Sequence, residues 1–496
     1  MSTVNIILTA IPVLFAIGAG TLFSSQKSAV LLKIPAYISA LIFLLFIPVF
    51  IEVFLNGTFL TLYSNIVLDP LAAYHIFLVN IIFLAASVYS IGYYKSHIKK
   101  HGDFELKFLR RYLALWLNFQ FLLIVVLVAN NIGLMWVALE ATTLTSAFLI
   151  IQPANSFSIE AMWKYLMICS VGIAFGFIGT ILTVAATQND SQSSLFLFTE
   201  LVKHSSEINP KIMLLAFIFI VAGMGTKAGL APMHTWLPDA HSQAPTPVSA
   251  VFSGIMLNVA LFGIMRYLSI TELATGHSGQ AHSILLVLGI LSLVFAVIFI
   301  PIQNDIKRLL AYCSVEHIGI IAIGIAIGGF GTVVALLHIA NHSISKVLAF
   351  FSAGHLVEHY ETKDMRKIAG AVSKIPVWGA SFLISMFVLI GVAPFSIFLS
   401  EFLLVKEAFF SGSYIVFGIV VFSTLVIFIS ILKNVLQVSF GSGSLPEIKK
   451  FKINMADKFI VVIFIAILLL LGLWIPTPFE NMLKSAALII ENGVTL

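Results

Sequence analysis

The 496-residue chain is 60% hydrophobic and only 10% charged, with a mean hydropathy of +1.06. A soluble domain carries charge on about a quarter of its residues, so these figures exclude one and indicate a polytopic membrane protein. The net charge of +5 is therefore read loop by loop as topology, and gives no ground for a nucleic-acid partner.

In chain order, the apolar stretch Asn5–Phe23 has no basic n-region and no obvious cleavage site, so it reads as a retained helix. Stretches long enough to cross a bilayer fall near 3–23, 30–51, 70–94, 109–129, 131–151, 161–187, 211–232, 246–268, 282–302, 308–328, 331–357, 376–410, 413–436 and 457–475. The fold class is thus an all-α membrane protein of about fourteen transmembrane helices at roughly 20 residues each. Proline interrupts the seventh and twelfth; 376–410 is either one broken span or a helix followed by a re-entrant half-helix. Asp69, ahead of Pro70 and Leu71, fits a helix N-cap. Residues 188–210 form the longest loop on their side, with Leu195–Val202 expected along the surface, and no long amphipathic extension is expected beyond Trp474.

Basic residues set the orientation. Lys27, Lys33, Lys95, Lys99, Lys100, Lys107, Arg110, Arg111, Lys164, Lys307, Arg308, Lys363, Arg366, Lys367, Lys374, Lys433, Lys449, Lys450, Lys452 and Lys458 all fall on alternate loops. The opposite loops keep only Lys203, Lys211 and Arg266. By the positive-inside rule both termini lie on the outer side. Cys169 and Cys313 sit in apolar segments without CxxC spacing, which excludes an iron–sulfur cluster and fits small buried hydrophobes.

One stretch departs from an ordinary membrane helix. Gly223–Ala250, GMGTKAGLAPMHTWLPDAHSQAPTPVSA, places Lys227, His234, Asp239, His241 and several prolines between two apolar segments. An ionisable side chain in hydrocarbon costs at least ~2.5–3.5 kcal/mol, so it survives facing a cavity or a partner. Pro232 cannot continue a regular helix, and a break at membrane depth is tolerated only where it is buried in protein or lines water. Lys227 lies ~24 Å along the segment from Lys211 at 1.5 Å per residue, deep for snorkelling. A lysine at a helix break marks an ion pathway; a kinked helix with a snorkelling lysine is the plainer alternative.

Internal symmetry is weak but visible. Trp136–Glu140 is echoed by Tyr312–Glu316, and Ala231–Pro232 by Ala393–Pro394. This predicts two inverted five-helix repeats, 109–268 and 282–440, each containing a broken helix. A three-helix segment, 1–108, precedes them, and a last helix with a short tail, 441–496, follows.

Glu140 lies ~13 Å from the outer edge of its span, and a buried carboxylate either neutralises or finds a cation. Lys227 is its natural partner, and loosening such a pair releases the lysine proton. His338, His342 and Lys346 recur every four residues and share one helix face. Glu316 and His317 add polar groups to the tenth span, and Glu401 lies beyond Pro394. In span order, Glu140, Lys227, His234, Lys346 and Glu401 suggest a polar axis parallel to the membrane. Asp239 and His241 fit the inner mouth of the break, as functional or as structural groups alike. His234 and His241 lack a metal-helix spacing, and no cysteine or carboxylate cluster accompanies them, so no metal site is expected.

GTKAGLAPMHTWLPDAHSQAPTPVSA, NDIKRLLAYCSVEHIG and ALLHIANHSISKVLAF resemble the proton-conducting antiporter-like subunits of respiratory complex I, membrane-bound hydrogenases and multisubunit sodium/proton antiporters. The resemblance covers nearly the whole chain. Within that family, GLMWVALEATTLTSAFLI and WKYLMICSVGIAF most resemble component F of hydrogenase-4 (formate hydrogenlyase-type) complexes. The resemblance implies that Glu140 and Lys227 form the coupled pair of one half-channel. It also implies that Lys346 is the central lysine with His338 and His342 beside it, and that Glu401 is the terminal group leading outward. Many relatives carry a lysine where this chain has Asn258, which cannot hold a proton as a lysine does; His234 or water would then bridge Lys227 to Lys346. The implied partners are other membrane subunits, homologous antiporter-like ones among them, and a peripheral redox arm, within a prokaryotic cytoplasmic membrane. No cofactor or redox centre of the chain's own is implied.

Three other functions compete. A cation/proton antiporter subunit would show sodium-dependent transport. A proton pathway serving a non-redox partner, such as inorganic-carbon uptake, would co-purify with that partner. A haem-bearing electron carrier needs histidines facing each other from two helices, whereas His338 and His342 share one helix.

Overall fold

The computed structural model describes residues 12–21, 28–57, 59–61, 64–101, 106–151, 155–187, 196–442 and 455–494. Much of the first expected span, most of the 188–210 loop's first half, and Lys449, Lys450 and Lys452 lie outside them. In chain order the elements are α1 (Pro12–Thr21), α2 (Ser28–Leu31), α3 (Ile34–Asn56), strands β1 (Phe59–Thr61) and β2 (Ile66–Leu68), α4 (Pro70–His101), α5 (Leu106–Val128), α6 (Ile132–Ile150), α7 (Ser156–Ala185), α8 (Phe198–Lys203) and α9 (Pro210–Ala228). Then follow α10 (Trp236–Gln243), α11 (Thr246–Val251), α12 (Leu257–Ala274), α13 (Gln280–Phe299), α14 (Ile306–Ile327), α15 (Phe330–Tyr360) and α16 (Ala371–Lys374). The last are α17 (Pro376–Leu389), α18 (Ser396–Phe410), α19 (Tyr414–Phe440), α20 (Met455–Leu473) and α21 (Thr477–Asn492).

Among the described residues 12 helical segments are long and apolar enough to cross a membrane, so the protein is multi-pass. Two shorter apolar helices, α1 and α17, stand where the first and twelfth spans are expected. Among the described residues one antiparallel strand pair, β1–β2, interrupts the helices, with Phe59 opposite Leu68. By contacts the chain forms two compact units: 1–228, 255–284 and 481–496 in the first, and 229–254 and 285–480 in the second.

In the first unit, helix starts are capped as their sequences dictate. Asn131 accepts from the Leu134 amide at the head of α6, and Asn155 forms a capping box with Ser158 on α7. The backbones of α7 and α9 approach closely because both carry glycine at the crossing, as membrane helices do where small residues meet. A Cβ on Gly223 would lie 2.4 Å from the Gly176 nitrogen, and one on Gly172 2.6 Å from the Thr226 Cβ. One expectation is revised here. Arg266 is no loop charge: it is 2% exposed, inside α12, and ion-paired to the buried Asp69. Asp69 still caps α4, accepting from the Ala72 amide at 2.8 Å. After Trp474 comes only a short amphipathic helix among the described residues, α21; it buries Met482, Leu483, Ala486, Ala487, Ile489 and Ile490, the i, i+3, i+4, i+7 pattern of a one-faced helix.

In the second unit, an apolar core of Leu293, Ile320, Ile323, Val334, Leu404, Ala408, Val416 and Val420 gathers α13, α14, α15, α18 and α19. The seventh expected span is broken after α9. Gly229 takes φ +82°, Ala231–Pro232 is cis, and the chain resumes through a 3-10 turn at Met233–Thr235 into α10. The freed Ala231 amide donates to Ser292 Oγ at 2.9 Å, the kind of side-chain partner that makes a break tolerable in a membrane. The twelfth is broken likewise: Gly391 takes φ +69° and Ala393–Pro394 is cis. There α17 ends with the Val392 amide donating to the Phe387 carbonyl at 3.0 Å and that of Gly391 to Val388 at 3.1 Å, a glycine C-cap.

Candidate functional site: two buried lysines

Lys227 is the penultimate residue of α9 and is fully buried. Its ammonium donates to Thr143 Oγ1 at 2.6 Å and to Tyr165 Oη at 3.1 Å. Tyr165 Oη is in turn 2.6 Å from Ser146 Oγ, which donates to the Thr142 carbonyl. Glu140, the expected partner, is not one of the hydrogen-bond partners of Lys227. Its Oε1 accepts from Ser170 Oγ at 2.9 Å, and its Oε2 has no hydrogen-bond partner among the described residues. Glu140 and Thr143 are three residues apart on α6, hence neighbours ~5–6 Å apart on one face. The ammonium therefore rests on a neutral hydroxyl one helical turn from a half-satisfied carboxylate.

Lys346 sits near the middle of α15 and is also fully buried. Its ammonium donates to a backbone oxygen, the Leu310 carbonyl, at 2.8 Å. On the same face His338 Nε2 is 3.0 Å from His317 Nδ1, and His338 Nδ1 is 2.9 Å from Ser400 Oγ. The His342 ring lies 5.3 Å from that of His317, and neither of its nitrogens has a partner among the described residues. A neutral imidazole offers one donor and one acceptor nitrogen, so His317, His338 and Ser400 form a continuous hydrogen-bonded run from α14 through α15 to α18. Glu316 is buried beside His317 with Oε2 unpartnered. Glu401 follows Ser400 and folds back onto the second break, where a Cβ on Gly391 would lie 2.4 Å from its Oε2.

The remaining expected residues are placed as follows. His234 is buried, its ring 5.2 Å from Phe295 and 6.1 Å from Tyr312. His241 stacks on Phe350 at 5.2 Å. Asp239 pairs with Arg308 at 2.5 Å. Asn258 is buried on α12. At the end of α10, Lys363 donates to the Ser242 carbonyl at 2.5 Å and Lys307 to the Ala244 carbonyl at 3.0 Å, cations where a helix C-terminus favours them. Burial pushes the Lys363 ammonium below its ordinary pKa, partly opposed by Asp305. Among the described residues no group of three or more His, Cys, Asp or Glu could hold a metal ion. Sequence reasoning missed Thr143, Tyr165, Ser146 and Ser400. The threefold spacing of Glu140, Thr143 and Ser146 was the available signal.

Residues 129–430, which carry both lysines, match the family described as NADH:quinone oxidoreductase/Mrp antiporter, TM. The chain belongs to that family. It is 35% identical over 404 residues to the Hydrogenase-4 component F homolog of Methylacidiphilum infernorum (isolate V4), spanning 80% of this chain and 84% of that protein. It is 29% identical over 375 residues to NADH-quinone oxidoreductase subunit N of Desulforudis audaxviator (strain MP104C), spanning 75% and 72%. The fold is that of a chain in the membrane-bound sulfane sulfur reductase, an archaeal respiratory membrane complex, with TM-score 0.86, 21% identity and coverage of 99% and 98%.

Proposed function

We propose that this chain is a proton-translocating, antiporter-like membrane subunit of a redox-driven complex of the hydrogenase-4 or NADH:quinone oxidoreductase type. Partner subunits transfer electrons, and this subunit moves protons across a prokaryotic cytoplasmic membrane. The observation that carries the reading is the pair of fully buried lysines, Lys227 and Lys346, each hydrogen-bonded to neutral oxygens. Such burial is costly and persists where the lysine's charge is put to use.

Lys227 holds its proton while Glu140 is engaged and yields it when the ammonium turns to Thr143 and Tyr165. Lys346 receives and passes protons beside His338 and His342, with Glu401 as the outward terminal group. His234, Asn258, Glu316, His317, Asp239 and His241 serve as secondary groups. About fourteen spans, inverted repeats at 109–268 and 282–440, and outer termini belong to the same reading, as do neighbouring membrane subunits and a peripheral redox arm. The test is pH-gradient formation in vesicles holding equal amounts of assembled complex. Lys227→Met or Lys346→Met is expected to lower the gradient at least about 100-fold in rate, within the range of lost acid–base groups. Variants that pump like the parent contradict the proposal.

A further inference from the structure

A second polar cluster lies in the first unit. Asp69, His75 and Arg266 are all buried, at 0%, 0% and 2% exposure. Asp69 uses both oxygens, one for the Ala72 amide and one for Arg266 Nη1. That leaves Arg266 Nε and Nη2 as donors without a hydrogen-bond partner among the described residues. His75 Nδ1 is 2.9 Å from the Leu71 carbonyl, so in the neutral ring Nδ1 carries the hydrogen. His75 Nε2 is then a bare acceptor, and it too is unpartnered. Both side chains pack on the same ring: the Phe262 centroid is 5.3 Å from the His75 ring and 4.8 Å from the Arg266 guanidinium carbon.

An unmet donor and an unmet acceptor buried against one phenyl ring are complementary to a molecule that accepts from one and donates to the other. Buried polar groups left without protein partners are ordinarily met by ordered water. We infer that Asp69, His75 and Arg266 form a hydrated proton-loading site, in which one bound water accepts from the Arg266 guanidinium and donates to His75 Nε2. The inference rests on the proton-moving function proposed above.

The chemistry is single-ended. A proton arriving on the water passes to the Nε2 lone pair: an O–H bond breaks, an N–H bond forms, and neutral water remains on Arg266. Nδ1 is tied to a backbone carbonyl, so the proton leaves through Nε2 by the reverse step. Asp69 supplies the negative charge that offsets Arg266 throughout. On α12, Asn258, Phe262 and Arg266 are spaced four residues apart on one face, so the site lies about two turns from Asn258.

The test uses the assembled complex. A map that resolves ordered water should show density within hydrogen-bonding distance of both His75 Nε2 and Arg266. His75→Phe keeps the ring packing and removes the nitrogen; it should lose that density and slow gradient formation about tenfold, with assembly unchanged. Arg266→Lys keeps a charge for Asp69 but loses the guanidinium fork, and should act in the same direction. Lys227→Met serves as the reference. If it collapses the gradient while His75→Phe pumps like the parent, or if the parent map shows no water, the loading site is refuted and the lysine mechanism stands. If Lys227→Met has no effect, the failure lies in the functional reading itself.

Discussion

The two lysines are buried to the same degree but held in different ways. Lys227 lies at the end of α9 beside a break, on side-chain hydroxyls that rotate, with a carboxylate one turn away. Lys346 lies inside an uninterrupted helix, on a backbone carbonyl that cannot rotate, among three imidazoles. Hydroxyl partners rotate, whereas a backbone carbonyl does not. We propose that this difference gives switching to the first site and relay to the second.

The largest effect is expected at His338. His338→Phe cuts the run from His317 to Ser400 and removes no charge paired with Lys346. If the second site is a relay, gradient formation falls about tenfold or more; if His338 is packing alone, the rate is unchanged. A smaller effect sharpens the first site. Tyr165→Phe keeps the ring and removes one of two hydroxyl partners of Lys227, a hydrogen bond to a charged group worth about 1.5–3 kcal/mol. With Thr143 still present, a several-fold loss is expected in gradient formation, and it should vanish in a Lys227→Met background because both changes act on one unit.

The smallest effect lies outside both sites. Hydrogen bonds from Arg366 hold the Asp364 carboxyl below the usual carboxylate range. A depressed folded-state value means the contribution is present above the unfolded value near 4 and is lost as pH falls through the folded one. Asp364→Asn should remove that acid dependence, shifting the complex's melting temperature by only about 1–2 °C because Arg366 is solvent-exposed. Gradient formation at neutral pH should be untouched.

Much of the fold was legible because hydropathy and proline placement are local. The break after Lys227 announced itself through Pro232, and the shared face of His338, His342 and Lys346 through their spacing. Arg266 was misread because its partner lies 197 residues away in sequence, and no local pattern distinguishes a buried arginine near a helix end from a loop charge. The α21 face was readable from Met482 to Ile490 but is interrupted by alanines. That Lys227 meets Thr143 and Tyr165, 84 and 62 residues away in sequence, is a tertiary contact that no local pattern records.

In the proposed function Lys227 alternates between Glu140 and neutral hydroxyls. Glu140→Gln removes the charge and keeps the shape, including an oxygen for Ser170 Oγ, so folding and assembly should survive. The direct measurement is pH-gradient formation by that variant in vesicles with parent levels of complex. The account predicts collapse of the gradient, with the double variant Glu140→Gln, Lys227→Met little worse than either single one. A Glu140→Gln complex that pumps like the parent contradicts it.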